Sequence, residues 1–221
     1  VLDRKLCGQL TGELLGEPIS SLRARGVHIG AMEMRELAKA DAVARLRHMD
    51  WSMTPLETGE LMALTQSPRL GQLEHLELSG CPLGNEGVMY LAQVDTLGAL
   101  HTLHLANTRI GLLGLARLAE APFGPQLRRL DLSDNHLGRR GADMLSSAPG
   151  LRGLTWLKLH HCGLDAGAIE ALCQHTELDA LVELDLGQNH LRSAGLRALA
   201  QSPLLQSVEV LRLGSNRIGD E

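Results

Sequence analysis

The sequence predicts an α/β solenoid, a fold in which copies of one strand-and-helix unit stack along an axis. Three patterns predict it. Apolar residues recur as LxxLxL at a constant spacing of 27 residues, and such a period without insertions is the signature of a repeat fold. In each copy, apolar and other residues alternate over a short run, as in a strand with one buried face. Farther along, the apolar spacing changes to three or four, which is typical of a helix.

The copies set the order of the elements. With the first apolar residue of LxxLxL as position one, the copies begin at Ile19, Leu46, Leu73, Leu100, Leu127, Leu154, Leu181 and Val208. Positions four and six are mostly apolar, as in Leu130 and Leu132, so we expect these side chains to be buried. Position nine holds Cys81, Thr108, Asn135, Cys162, Asn189 and Asn216. We expect these side chains to bond backbone groups that the stack shields from water.

The helical half of each copy has a start signal and a stop signal. A glycine lies near the predicted helix start, at Gly87, Gly114, Gly141 and Gly195. We expect it to let neighbouring copies approach closely. The helices are predicted to end at Ser67-Pro68, Ala121-Pro122, Ala148-Pro149 and Ser202-Pro203, because proline cannot continue a helix. Glu33, Glu60 and Ala168 replace the glycine in three copies, which leaves the helix start there open.

The predicted organisation is one repeat domain. Residues 19–221 form the eight copies, the last of them truncated, and residues 1–18 fit a cap or the helix of a preceding copy. The first two copies are irregular, as terminal repeats often are. Trp51 falls on position six, so we expect it in the core. Since the chain lacks an initiator Met and stops inside a copy, we expect it to be a fragment of a longer protein.

Composition narrows the class of protein. Aromatic residues make up only 2% of the chain, so the core must be built from aliphatic side chains. A formal charge of −5 without a Lys/Arg block gives no sign of nucleic-acid binding. No apolar run reaches the ~20 residues that cross a bilayer. Cys81 and Cys162 share one position three copies apart, too far for a disulfide, so we expect reduced thiols in a cytoplasmic protein.

The pattern LxxLxLxx(N/C)xLxxxGxxxL resembles the leucine-rich repeat, in its ribonuclease-inhibitor-like class. The resemblance covers residues 19–221, and copies such as LAQSPLLQSVEVLRLGSNRIGDE are similar to bacterial members. It implies a right-handed solenoid shaped as an arc, with a parallel sheet on the concave face and α-helices on the convex face. It also implies a partner bound on the concave sheet and no shared catalytic residues.

A charged row is predicted on the face opposite the core. With positions four and six buried, positions three, five and seven must point the other way. Position five is ionisable in every copy: Arg23, Asp50, Glu77, His104, Asp131, Lys158, Asp185 and Arg212. We define these eight residues as the charged row. Its charges either pair with one another or recognise a partner. In the fifth copy, Arg129, Asp131 and Ser133 are expected to be presented to that partner.

Histidines and one tryptophan add candidates for chemistry. His75, Glu77, His104 and Asp131 are expected to converge, either as a ligand set for a divalent ion or as a pH-dependent part of the surface around His104. Trp156 is the only aromatic residue predicted on the exposed face, where it either anchors a partner or packs against Arg129 or Glu183. Leu112-Leu113 either forms a small exposed apolar patch or belongs to a local helix contact, which we favour.

The sequence therefore predicts a non-catalytic scaffold that binds a protein partner and is a monomer by itself. The predicted partner-binding residues are His75, Glu77, His104, Arg129, Asp131, Trp156, Lys158, His160 and Asp185. No phosphate-binding loop, CxxC pair or GxSxG elbow is present, so no cofactor, metal or catalytic residue is predicted. Two alternatives remain open: a sensing or regulatory domain of a longer protein, such as a small-GTPase regulator, and a metal-dependent enzyme.

Overall fold

The computed structural model describes residues 19–175 and 177–219. In this part of the chain, eight parallel strands form one sheet in chain order. They are β1 Ser21–Arg23, β2 His48–Asp50, β3 His75–Glu77, β4 Thr102–His104, β5 Arg129–Asp131, β6 Trp156–Lys158, β7 Glu183–Asp185 and β8 Val210–Arg212. Each residue pairs with the one 27 positions later, as Leu103 does with Leu130, so the sequence period becomes the register of the sheet. The cap predicted for residues 1–18 lies outside the described residues.

A helix follows each strand from β1 to β7. The helices are α1 Ala31–Lys39, α2 Thr58–Thr65, α3 Gly84–Leu91, α4 Leu112–Ala119, α5 Gly138–Ser146, α6 Ala166–Leu172 and α7 Arg192–Ala200. Each helix packs on the next, so the helices form the second layer of the solenoid, with the sheet on its concave side. Among the described residues, no helix has the length and apolar character to span a membrane.

The predicted helix ends are confirmed. The helices α2, α4, α5 and α7 end at Thr65, Ala119, Ser146 and Ala200, each three residues before the proline. Short 3-10 segments then return the chain to the sheet, at Asp41–Arg45, Leu70–Gln72, Gly124–Gln126, Pro149–Leu151 and Pro203–Gln206. The three copies without the glycine still form helices. Glu57 and Glu60 make a reciprocal capping box at α2, and Asp165 caps α6 by accepting from the Ala168 amide.

The core lies between the sheet and the helices. Leu130 and Leu132 of the fifth copy are completely buried, as are the equivalent leucines of the neighbouring copies. Trp51 is fully buried, which confirms the prediction from its position. Because each buried leucine contributes about 2 kcal/mol, a ladder of them supplies most of the stabilisation that holds one copy on the next.

Position nine bonds backbone groups inside the stack, as predicted. Asn135 Nδ2 donates to the carbonyls of Leu105, Leu132 and Ser133, and its Oδ1 accepts from the amides of Thr108 and Ile110. A single side chain thereby satisfies the turns of two copies. Such groups would otherwise be buried without partners, at a cost of about 1–3 kcal/mol each.

The cysteines at position nine also form hydrogen bonds with backbone carbonyl groups inside the stack. Cys81 Sγ lies 3.1 Å from the Trp51 carbonyl oxygen, and Cys162 Sγ lies 3.2 Å from that of Leu132. Burial raises the pKa of the Cys81 thiol to about 11 and that of Cys162 to about 12. Both are therefore protonated donors. Cys81, Cys162 and Cys173 are free thiols, and Cys7 lies outside the described residues.

Candidate interaction surface on the concave face

The concave face consists of positions three, five and seven of each copy. Strand residues alternate between the two sides of the sheet, so the buried leucine of each strand leaves its two neighbours on the concave side. In β5, Leu130 is buried whereas Arg129 is exposed. The structure therefore brings the predicted partner-binding residues to one face, at equivalent places of neighbouring strands.

The acidic members of the charged row bond the backbone at the strand ends. In each case the carboxylate accepts from the amide two residues later: Asp50 from Ser52 at 3.0 Å, Glu77 from Ser79 at 2.8 Å, Asp131 from Ser133 at 2.9 Å and Asp185 from Gly187 at 2.8 Å. The sequence analysis missed this role. The signal was an acidic residue at position five in four of the eight copies, because Asp and Glu commonly hold turns in this way.

The expectation that Asp131 and Ser133 are presented to a partner is wrong, and Asp185, another predicted partner-binding residue, is buried too. Asp131 and Asp185 are buried, with 8% and 9% of their surface exposed, and Ser133 is buried as well. Between the strands, Asp131 also lies 3.6 Å from Lys158 Nζ, and Asp185 lies 3.8 Å from His160 Nδ1. The carboxylates are drawn inward because both their hydrogen bonds and their counter-ions lie within the face.

Burial and hydrogen bonding act in opposite directions on these acids. Desolvation disfavours the charged form of Glu77, but hydrogen bonds from His104 and Ser79 outweigh it and hold the pKa of this carboxyl below its usual value. For Asp50, desolvation is likewise outweighed by hydrogen bonds from Ser52 and Arg25, and its pKa is lowered too. These two carboxylates are therefore ionised at neutral pH and already engaged.

The predicted convergence of His75, Glu77, His104 and Asp131 is wrong. Only His104 and Glu77 meet, with Nδ1 and Oε2 2.8 Å apart. His75 turns toward the preceding strand and stacks on His48, with ring centroids 4.3 Å apart. Desolvation and the neighbouring His48 lower the pKa of His75. Within the described residues, no three His, Cys, Asp or Glu side chains are arranged to hold a metal ion.

Trp156 stands at the centre of the face and is half-buried. The Arg129 guanidinium carbon lies 4.6 Å from the centre of its ring, in a cation–π contact, and the His104 ring lies 5.9 Å away. On its other side is Glu183, whose pKa is lowered because hydrogen bonds from Trp156 and Arg212 outweigh desolvation. The packing alternative is thus observed, and it leaves part of the indole open to solvent.

A groove of about 430 Å³ lies at the N-terminal end of the concave face. Among its lining residues are Arg23, Arg25, His48, His75, Glu77 and His104. Arg25 is paired with Asp50 at 2.6 Å, and Glu77 with His104. Most of the charged groups in the groove are therefore paired with one another.

Together, the repeated strand, the asparagine and cysteine bonds at position nine and the outer layer of helices define a solenoid of leucine-rich repeats. The family described as Leucine Rich repeat matches residues 73–92, 125–146, 181–200 and 205–221. Each matched segment contains one strand, β3, β5, β7 or β8. The chain thus contains leucine-rich repeats, and the periodic residues place the intervening copies in the same register.

A solved structure of internalin C2 from Listeria monocytogenes is similar to this chain, with a TM-score of 0.60. The sequences are 22% identical, and the match covers 97% of this chain and 76% of the internalin chain. At this identity the likeness establishes the fold. Comparison with curated proteins gives no match.

Proposed function

We propose that this protein is a non-catalytic scaffold that binds a protein partner on its concave face. The observation that carries the proposal is the Trp156 cluster: an indole held between Arg129 and Glu183 at the middle of the sheet. Tryptophan and arginine are the residues most enriched in binding hot spots. Because neighbouring side chains already fix this indole, little conformational entropy is lost when a partner covers it.

The predicted partner-binding residues divide into two roles. Arg129, Trp156, Lys158 and His160 are exposed or half-buried and can contact a partner directly. His75, Glu77 and His104 are also half-buried and extend this surface toward the N-terminal groove. Asp131 and Asp185, by contrast, are positioning residues, since their carboxylates hold the strand ends and the side chains of Lys158 and His160.

A non-catalytic role fits the chemistry of this face. A general base needs a carboxylate or imidazole with an accessible lone pair. Here, the acids of the charged row accept hydrogen bonds from backbone amides, and His104 Nδ1 donates a hydrogen bond to Glu77. The second ring nitrogen of His104, Nε2, is buried without a hydrogen-bond partner among the described residues, so its lone pair is not accessible at the surface.

We further propose the ribonuclease-inhibitor-like class and a monomeric protein of bacterial type in a reducing, cytoplasmic environment. The 27-residue period and the helix after every strand from β1 to β7 favour that class. The buried thiols of Cys81 and Cys162 favour a reducing compartment, because each donates to a carbonyl and packs in the core as a small side chain.

Affinity capture with a Trp156→Ala variant tests the proposed function. The matched control is Tyr90→Ala, which truncates a half-buried aromatic residue of α3 in the helical layer. We expect Trp156→Ala to weaken the affinity for the captured partner by ~30-fold, about 2 kcal/mol. The control should leave this affinity unchanged. Loss of the partner with Tyr90→Ala alone would move the interface to the helical side and end the proposal.

A further inference from the structure

A second surface of the solenoid carries charge that nothing in the structure neutralises. The fourth, fifth, seventh and eighth copies present five exposed arginines just after their strands, which we call the arginine edge: Arg109 and Arg217 in turns, Arg139 and Arg140 in the first turn of α5, and Arg192 at the start of α7. None of the five makes an ion pair with another described residue, whereas Arg25, Arg47, Arg152 and Arg212 each pair with an acidic side chain. Exposed histidines at His136, His161 and His190 lie on the same turns.

We propose that the arginine edge is a second interaction surface, one that binds an acidic segment of a protein partner. It is separate from the concave face, and it does not depend on the Trp156 cluster.

The turns are stacked, so the arginines form one surface. The Asp134 amide donates to the His160 carbonyl at 2.9 Å, and the His161 amide donates to the Gly187 carbonyl at 2.9 Å. The Arg192 amide donates to the Asn216 carbonyl at 3.0 Å. Such bonds link each turn to the next, and strands in a sheet lie ~4.8 Å apart. The arginines lie at positions ten to fourteen of these stacked copies, so they share one edge of the solenoid, although the sixth copy contributes none.

Few acidic groups oppose this charge. The described turns from the fourth to the eighth copy contain Asp134 and Asp165, and both are engaged. Asp134 lies 2.8 Å from His161, and Asp165 caps α6 by accepting from the Ala168 amide at 2.8 Å. The chain as a whole carries a formal charge of −5. Five guanidinium groups without ion pairs therefore make this edge locally basic in an acidic chain, and their donors are accessible to the acceptors of a ligand.

The edge is confined to the C-terminal half of the chain, which argues against a general property of the repeat. Position ten is His28, Pro55 and Pro82 in the first three copies, but Arg109, His136, Gly163, His190 and Arg217 in the later ones, so arginine occurs there only from the fourth copy on. The same surface begins with Leu113, which is 70% exposed at the start of α4. The favoured local helix contact for this leucine is thus wrong, and an apolar residue flanks the arginines.

An acidic protein segment fits this surface better than the other polyanions. Binding of single-stranded nucleic acid relies on stacking of bases on aromatic rings, and the edge has no tryptophan, tyrosine or phenylalanine. A protein interface, by contrast, commonly combines arginine with an apolar contact such as Leu113. Carboxylates accept from guanidinium groups in a bidentate geometry, which provides the specificity.

The test uses a fluorescein-labelled peptide of ten glutamates and fluorescence anisotropy at low ionic strength. The edge variant combines Arg139→Gln, Arg140→Gln and Arg192→Gln. The matched control combines Arg23→Gln, Arg35→Gln and Arg45→Gln, which removes the same charge from exposed arginines of the first copy without ion pairs. We expect roughly a tenfold weaker affinity for the edge variant and roughly a twofold change or less for the control. Unchanged thermal unfolding of both variants shows that the fold is intact.

Three results would overturn the inference: no binding by the wild type, equal loss in both variants, or binding of poly-U RNA or phosphatidylserine vesicles without binding of the peptide. Trp156→Ala separates this surface from the proposed function. If Trp156→Ala abolishes peptide binding, the peptide lies on the concave face and the arginine edge is wrong. If the variant loses its captured partner and still binds the peptide, the two surfaces are distinct, as we infer.

Discussion

Position eight of every copy has a backbone conformation that L-residues rarely adopt. The φ angle is positive at Gly26, Met53, Gly80, Asn107, Asp134, His161, Gln188 and Ser215, between 52° and 76°. The turn imposes it, because the amide of this residue donates to the next copy, as that of Gln188 does to the Gly214 carbonyl at 2.8 Å. Glycine, asparagine and aspartate adopt this conformation with little strain, whereas Gln188 stores part of the ~1–2 kcal/mol that it costs.

Replacing Gln188 by glycine is therefore expected to stabilise the protein. We expect Gln188→Gly to raise the free energy of unfolding by about 0.5–1 kcal/mol, because the strain removed exceeds the entropy that glycine adds to the unfolded chain. The measurement is urea denaturation followed by circular dichroism. Gln201→Gly is the matched control, since Gln201 has φ −91° and is not strained. We expect this variant to lower the free energy of unfolding by several tenths of a kcal/mol. A lower stability for Gln188→Gly would contradict this account.

At the scale of an element, the glycine near each helix start makes its closest contact within its own copy. We expected it to let neighbouring copies approach. A Cβ on Gly141 would lie only 2.6 Å from Leu137 Cβ in the same copy, and 3.5 Å from Leu115 Cδ2 of the preceding one. The tighter contact is with the leucine at position eleven, so the glycine mainly allows the helix to begin directly on a buried side chain. The expectation holds more fully at Gly114, where Asn85 of the preceding copy lies 3.0 Å from such a Cβ.

Gly141→Ala tests this role against helix propensity. Alanine favours a helix by about 1 kcal/mol over glycine, but forcing a methyl group into a filled site costs about 1–3 kcal/mol. We expect the packing cost to win and the free energy of unfolding to fall by about 1 kcal/mol. Gly98→Ala serves as the control, because no atom lies within 4 Å of its added Cβ. If Gly141→Ala were as stable as Gly98→Ala, the contact with Leu137 would not be limiting.

At the scale of the whole molecule, side-chain carboxyl groups along the concave side of the sheet hold the ends of its strands. Asp50, Glu77, Asp131 and Asp185 each accept an amide at the end of a strand. The sheet thus has apolar contacts on one side and charge-assisted hydrogen bonds on the other. Protonation of Asp50 and Glu77, whose pKa values are lowered, weakens bonds of the second kind in two neighbouring copies.

Stability is expected to fall in acid. The folded-state pKa values of Asp50, Glu77 and Glu183 lie below the ordinary values of 3.8 for Asp and 4.5 for Glu. The unfolded chain therefore binds protons first as the pH falls. The stabilisation is complete above about pH 5 and decreases as the pH passes through the lowered values.

The measurement is urea denaturation at a series of pH values from about 6 to about 3, with Glu77→Gln beside the wild type. Glutamine keeps the shape of the side chain but loses the charge. We expect the variant to be less stable at neutral pH and to depend less on pH in this range. The assignment fails if the two proteins show the same pH dependence, because Glu77 accepts hydrogen bonds from both the Ser79 amide and His104 and has a lowered pKa.

The sequence by itself determined the architecture of this protein. The constant period of 27 residues specifies which residues pair across the sheet, and the leucines at positions four and six specify the buried side. Trp51 and Asn135 could be placed for the same reason. Their environment follows from their position in the copy, because burial repeats with the period and does not depend on one particular neighbour.

Only the tertiary structure decided what the concave face presents. Asp131 and Asp185 share position five with Lys158, yet they turn inward to the amides of Ser133 and Gly187. His75 stacks on His48 rather than meeting His104. These outcomes depend on rotamers and on partners one copy away, where hydrogen bonds, counter-ions and desolvation nearly balance. A pattern of residue types gives the position of each side chain on the sheet, but this balance settles where its polar atoms point.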